Sequence, residues 1–204
     1  MKTGPRYKIA KRLGASVFEK TQTQKFAIAE ERSAKNRRGR RRRGPSSYGK
    51  QLLEKQKVRV TYGVTEKQFG NYIKKATVSH ATTPAEALHA SLELRLDNVA
   101  WRIGLAPTRR AARQLVAHGH LTVNGRKTTI PSRAINVNDR IAVREGSKSR
   151  VLFADFGERF MERTLPTWLS WNPKTMEGGV QEIPTMESAD PAGDLHTVLS
   201  FYSR

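Results

Sequence analysis

The apolar pattern is most regular between Thr83 and Val143. Leu88, Leu92, Leu96, Val99 and Ile103 fall at spacings of 4, 4, 3 and 4, which is one stripe of a helix. Thr83-Pro84-Ala85-Glu86 opens it as a capping box, with proline at the first helical position, where its missing amide is harmless. Gly104 supplies a C-cap, so the spacing predicts a single helix. Thr108 caps a second helix over 109–118, with Ala112, Leu115 and Val116 inward. Asn124-Gly125 then separates two short β-prone runs, the strongest short signal for a type I′ hairpin. Arg126 and Lys127 leave that turn on opposite faces. Ile130, Ile135-Asn136-Val137 and, after a turn at Asn138-Asp139, Ile141-Ala142-Val143 predict further strands.

The flanks are less regular. Gly44-Pro45-Ser46-Ser47 punctuates the chain and starts a helix that runs to Tyr62, where Gly63 stops it. Tyr48, Leu52 and Tyr62 are its candidate anchors, while Lys50, Lys55, Lys57 and Arg59 stay outside. Thr65-Glu66-Lys67-Gln68 is another capping box, opening a helix with Phe69, Ile73 and Ala76 on one face. Core packing explains the aromatics of this small helical domain more simply than base stacking does. After Ser149 a helix would draw on Val151, Leu152, Phe153, Phe156 and Phe160. Pro166 to Trp171 reads as extended, and 173–194, rich in Gly, Pro and acids, as a surface loop. The last ten residues, Leu195 to Arg204, are apolar enough to dock on the rest of the chain. Residues 1–31 are too poor in apolar side chains for a core of their own and predict an extension that orders on a partner.

Charge narrows the partner. The net charge is +20 and the pI about 10.8, which points to a polyanion, nucleic acid before membrane surface. Residues 1–75 carry 22 Lys/Arg against 5 Asp/Glu, whereas 151–204 carry 4 against 8, so the basic surface is N-terminal and central. Residues 32–43 hold eight cations in twelve positions and predict an extended, mobile arm until phosphates neutralise it; a nuclear-localisation signal fits the same residues. No apolar run reaches the roughly 20 residues of a bilayer span, and no secretory leader is visible. There are no cysteines, hence no disulfides and no thiolate metal site. His118 and His120 are close enough to pair on a metal, but no third ligand accompanies them.

The helix at 109–118 carries the sharpest clue. Arg109 and Arg113, like Arg110 and Gln114, stand one turn apart. Like charges at that spacing cost an isolated helix roughly 0.2–0.5 kcal/mol, and cations near an N-terminus oppose the helix dipole. Both costs make sense if phosphates bind there. Asp97, one turn before Trp101 and Arg102, reads as a structural partner of an arginine rather than a catalytic base.

Arg95-Leu96-Asp97, Thr108-Arg109, Ala112-Arg113-Gln114-Leu115, Gly119 and Val123-Asn124-Gly125 resemble the small RNA-binding module found in a ribosomal protein, several pseudouridine synthases, tyrosyl-tRNA synthetases and a heat-shock protein. Tyr48-Gly49-Lys50-Gln51-Leu52, Tyr62-Gly63-Val64, Leu165-Pro166-Thr167-Trp168-Leu169, Met176-Glu177-Gly178 and Phe201-Tyr202-Ser203-Arg204 narrow the resemblance to the bacterial small-subunit ribosomal protein number four family. It covers about residues 44–204. Many members carry a zinc-binding cysteine cluster near the N-terminus, which this chain lacks.

The resemblance implies an α+β fold: a small helical domain plus an RNA-binding module of two helices on a small antiparallel twisted sheet, with a basic extension. The boundaries expected are 1–43 for the extension, 44–92 for the first domain, completed by 185–204, and 93–184 for the second, with the module at 95–150. It implies a structural, non-enzymatic, cytoplasmic protein of the 30S subunit, without cofactor, metal, small-molecule substrate or membrane. Such a protein binds 16S rRNA at a multi-helix junction, nucleates assembly of the subunit body and contributes to translational accuracy. Its other partners would be small-subunit ribosomal protein five and mRNA near the channel through which it enters. Some members also repress their own messenger.

The residues nominated for RNA contact begin with Arg6 and Lys8, then Arg32, Lys35, Arg37, Arg38, Arg40, Arg41, Arg42 and Arg43. The first domain adds Tyr48, Gln51, Lys55, Gln56, Lys57, Arg59, Lys67 and Gln68. The module adds Arg109, Arg110, Arg113, Gln114, His118, Asn124, Arg126 and Lys127. Two rivals stand beside this reading. An RNA-modifying enzyme would need a separate catalytic domain, for which no stretch is long enough. A free-standing RNA chaperone would not need residues 44–75 or the matching C-terminal segment.

Overall fold

A computed structural model describes residues 4–14, 17–18, 21, 23–37, 46–79, 82–154, 156–161, 164–189 and 192–203. The elements begin with α1 (Arg6–Leu13), α2 (Gln24–Arg37), α3 (Ser47–Thr61) and α4 (Glu66–Val78). Next come α5 (Pro84–Glu93), α6 (Leu96–Ile103), α7 (Arg109–Ala117), β1 (Leu121–Val123), β2 (Arg126–Thr128) and β3 (Arg140–Val143). The chain continues with α8 (Glu145–Lys148), a 3-10 turn at Val151–Phe153, α9 (Phe156–Met161), β4 (Leu169–Asn172), β5 (Glu177–Val180) and α10 (Leu195–Tyr202). The fold is α+β. It divides into two compact units, Met1–Lys74 with Pro191–Arg204, and Lys75–Asp190. Thus α5 belongs to the second unit, and the basic N-terminal helices to the first.

In the first unit, Ser46 caps α3 by accepting from the Gly49 amide at 3.2 Å, and Gly63, with φ +61°, ends the turn after it. Thr65 and Gln68 make the reciprocal capping contacts at 3.3 and 3.4 Å. Asp194 caps α10 through the Thr197 amide at 3.1 Å, and α10 packs along α3 with Leu195 and Val198 buried. The apolar C-terminus therefore docks on the first unit. The N-terminal residues are more ordered than their composition predicts. Ala10, Leu13 and Phe26 are buried, and Tyr7 stacks on Phe26 with centroids 5.5 Å apart. Residues 32–37 lie in α2 rather than in an extended arm; Arg and Lys are good helix formers, and a few anchors suffice to hold two helices.

The second unit contains the largest departure from the hydrophobic pattern. The leucine stripe does not run on one helix. It breaks at Leu94-Arg95, where Arg95 turns to extended backbone (φ −70°, ψ 135°) and bridges Ala134. The Leu96 amide donates to the Arg133 carbonyl at 2.9 Å, and the Ile135 amide to Leu94 at 2.9 Å. Leu92 and Leu96 are both fully buried, so the stripe survives the break.

The sheet is antiparallel, in the order β2-β1-β3-β5-β4. Asn124 (φ 52°) and Gly125 (φ 76°) give the I′ turn its left-handed backbone. Ile130 and 135–137 form no strand; Ile135 is buried from a loop, whereas Ile130 is exposed. β5 falls in the stretch expected to be loop. The close approach of β4 admits only glycine at 178: a Cβ there would meet the Ser170 carbonyl oxygen at 2.0 Å. The core joins α6, α7 and the sheet to Phe153, Phe156, Trp168 and Trp171. Val151, expected to pack, is 89% exposed, and Leu152 is also exposed, because a short 3-10 turn turns only Phe153 inward.

Candidate nucleic-acid interface

Two buried carboxylates organise the cations of the second unit. Asp97 receives Arg95 in a bidentate pair, Nε to Oδ1 at 3.0 Å and Nη2 to Oδ2 at 2.8 Å, both side chains almost wholly buried. Arg113 of α7 reaches the same Asp97 with Nε at 2.7 Å. Glu93, fully buried, receives Arg102 through Nε and Nη2, each at 2.9 Å, and the Asn98 amide at 2.9 Å. Asn98 Oδ1 in turn accepts from Arg109 Nε at 2.8 Å, and the Arg109 guanidinium lies 3.7 Å from the centroid of the Trp101 ring. Four arginines are thus set by two acids and one amide. Buried charges persist only when paired in this way. Asp97 pairs with arginine, as the sequence suggested, and Glu93 is a second such acid, which the sequence did not single out.

Beyond that layer lies an open one. Thr108 caps α7 through the Ala111 amide at 3.0 Å. Arg110, Gln114 and His118 are exposed at one-turn intervals along it. The row ends at Gly119 (φ +72°), where a Cβ would lie 2.3 Å from Lys127 Cε, so Lys127 of β2 crosses directly over this glycine. Arg126, Lys127 and Arg110 are exposed. Behind the row, His120 is buried with Nδ1 3.0 Å from Ser147 Oγ. Burial pushes its pKa below the usual histidine value, and Arg150 and His118 push the same way. Among the described residues, no three His, Asp or Glu gather as a metal site needs.

Several nominated residues have partners within the protein. Asn124 donates to Asp139 at 2.7 Å and accepts from the Arg140 amide at 2.8 Å, so it fixes the hairpin to β3. Lys55, which the helical pattern places outside, is buried: its ammonium is 2.7 Å from Glu66 and 4.4 Å from the Phe201 ring centroid. Its long stem lies under α10, which the local helical pattern of α3 cannot reveal. Tyr202 donates to the same Glu66 oxygen at 2.8 Å. Burial pushes the Glu66 carboxyl up, but the hydrogen bonds from Lys55 and Tyr202 outweigh it, and the net pKa is lowered. Burial and Glu66 together raise the Tyr202 phenol. Arg59 bonds Gln56 at 2.7 Å, and Lys57 pairs with Glu54 at 2.5 Å.

Tyr48, Lys67 and Gln68 are exposed, as are Lys8 and Arg32; Arg6 and Gln51 are half-buried. Arg38 and Arg40 to Arg43, and the side chains of Lys35 and Arg37, lie outside the described residues.

Two helices on a small sheet, with an arginine-rich α7 beside an I′ hairpin, define a class of nucleic-acid-binding module, and residues 94–141 match the S4 domain. Residues 1–93 match the ribosomal protein S4/S9 N-terminal domain. The small ribosomal subunit protein uS4 of Roseiflexus castenholzii is 44% identical over 205 residues, spanning 98% of each chain. That of Halothermothrix orenii is 42% identical over 204 residues, again 98% of each chain. The uS4A protein of Symbiobacterium thermophilum is 38% identical over 205 residues, 99% of this chain and 98% of its own. The chain belongs to the uS4 family of small-subunit ribosomal proteins.

Proposed function

We propose that the chain is a structural protein that binds 16S rRNA directly, early in assembly of the small subunit. The observation that carries this reading is the row of exposed donors Arg110, Gln114 and His118 along α7, with Lys127 of β2 crossing over Gly119 at its end. A row of this kind follows a phosphate backbone. It suits recognition by shape, because the A-form major groove is too narrow for side chains to read. Arg109 and Arg113, steered by Asn98 and Asp97, add cations of fixed direction. The basic N-terminal region, including Arg37 to Arg43, supplies further phosphate neutralisation, and Tyr48, Lys67 and Gln68 extend the contact in the first unit.

By family likeness the protein nucleates the body of the 30S subunit in the cytoplasm and contributes to translational accuracy. Small-subunit ribosomal protein five and mRNA near its channel are its other partners, and no catalysis is involved.

Footprinting on naked 16S rRNA tests the reading, with an Arg110→Ala/Lys127→Ala double variant beside the wild type. Protection confined to one multi-helix junction and weakened in the variant is the expected result. Ten phosphate contacts give a log–log salt slope of roughly −7 to −9. A slope shallower than about −2, or protection scattered along the RNA, would overturn a specific electrostatic grip.

A further inference from the structure

We infer that Asn98 is a positioning residue for RNA binding: locked by the buried Glu93, it aims the Arg109 guanidinium at the phosphate backbone. The inference rests on the reading above, in which α7 faces RNA. Asn98 is 1% exposed and carries no charge, so it touches no phosphate itself. Its amide has two ends with different duties. Nδ2 donates to Glu93 Oε2 at 2.9 Å and to the Glu93 carbonyl at 3.1 Å. With Nδ2 so held, only Oδ1 can turn toward α7, and it accepts from Arg109 Nε at 2.8 Å. Glu93 is itself fixed by two bonds from Arg102. The Trp101 ring, 3.7 Å from the guanidinium, sets the plane.

A free arginine side chain loses much of its rotamer freedom when it is held against a phosphate. Here the carboxylate, amide and ring fix the guanidinium before RNA arrives, so less is lost on binding. The same logic requires an acid that RNA never meets. Glu93 is fully buried and neutralised by Arg102, so it holds the amide without presenting negative charge to the phosphates.

The test uses a readout that a structural role alone does not move, the salt dependence of binding to 16S rRNA. Full-length wild type, Arg109→Ala, Asn98→Ser and the double variant are titrated across a decade of salt. Serine keeps a donor near Glu93 but is too short to reach Arg109. Each phosphate contact contributes about 0.7–0.9 to the log–log slope, so losing one changes relative affinity about five- to eightfold across that decade.

Asn98→Ser, although it removes no charge, is expected to lower the slope as much as Arg109→Ala does, and the double variant no further. A wild-type slope for Asn98→Ser beside a reduced one for Arg109→Ala would overturn the inference, as would two losses that add. An unchanged slope for Arg109→Ala overturns it at its premise, removing Arg109 from the RNA face while leaving RNA binding by the chain intact. A wild type that fails to bind 16S rRNA ends the underlying reading altogether. Thermal melts accompany each variant. Should Asn98→Ser fail to fold, Asn98→Thr carries the same test, since it too keeps a short donor near Glu93, falls short of Arg109 and removes no charge.

Discussion

At the scale of single residues, the buried polar groups divide into those with partners and those without. Among the described residues, neither ring nitrogen of His89 finds a well-formed hydrogen bond, and the side chain is 1% exposed. Burial lowers its pKa from the ordinary 6.5; the Glu93 carboxylate and the Thr185 backbone oppose the shift without cancelling it. His120 is lowered as well, again chiefly by burial. The sign follows directly. Below about pH 6.5 the unfolded chain takes up protons that the folded chain refuses, so stability falls as pH drops, until the lowered folded pKa is reached. Each histidine contributes at most about 1.4 kcal/mol per pH unit over that window. His89→Leu is expected to flatten the loss of melting temperature between pH 7.5 and 5.5, and an unchanged pH profile would exclude His89 as its source. Glu66 and Asp194, both with lowered pKa values, add a second loss at more acid pH, as each is protonated through its folded pKa. Half of the Glu66 side chain is exposed, so solvent screens its share.

At the scale of elements, glycines separate local propensity from close packing. Gly70 lies inside α4 with nothing within 4 Å of an added Cβ. Gly70→Ala is therefore expected to stabilise by about 0.5–1 kcal/mol. At Gly178 the obstacle is backbone, the Ser170 carbonyl of β4, which cannot swing aside. Gly178→Ala is expected to destabilise by about 1–3 kcal/mol, through overpacking between β4 and β5. Chemical denaturation of both variants checks the opposite signs.

The same contrast explains what the sequence made legible. Capping boxes, the I′ turn and the helix read as 109–118, which runs Arg109–Ala117 with His118 as its cap, depend on neighbours a few residues away, and were readable. The break at Leu94-Arg95 was not, because its cause is a bridge to Ala134, far along the chain, and the leucine stripe passes through it undisturbed. Nor was β5, whose Glu-Gly-Gly-Val sequence carries almost no strand pattern; the close approach of β4 selects the glycine. In the site, the kinds of side chain were legible and their directions were not. Arg110 and Arg113 look alike in sequence, yet one is exposed and the other is 2.7 Å from Asp97. Lys55, drawn under α10, looks like any other exposed lysine on α3.

At the scale of the whole molecule, charge and connectivity both act. The +20 net charge makes affinity for any polyanion steeply dependent on salt, so specificity has to be judged by competition with other RNA at fixed salt. The first unit is completed by residues from the far end of the chain. Glu54 of α3 accepts from the Asp194 amide at 3.1 Å, and Glu66 from Tyr202 at 2.8 Å. Phe201 lies against Tyr48, with ring centroids 5.5 Å apart. Removing residues 195–204 is expected to strip α3 of its cover. Hydrogen exchange would then show lost protection over 47–61, with the sheet at 121–143 still protected; retained protection in α3 would show that α10 is dispensable.

That return of the chain also sets an order of events during synthesis. Along the sequence the second unit falls between the two segments of the first, and its own residues have all emerged once about residue 190 has. The first unit is begun first and closed last, since α3 meets α10 only across a separation of some 140 residues. Closing so long a loop is slow compared with local pairing. A nascent chain is therefore expected to finish its sheet and α7 while the earlier-made helices still wait for residues 195–204. Pulsed proteolysis of stalled chains ending near residue 190 is expected to find the module carrying Arg110 and Lys127 already protected and α3 still open.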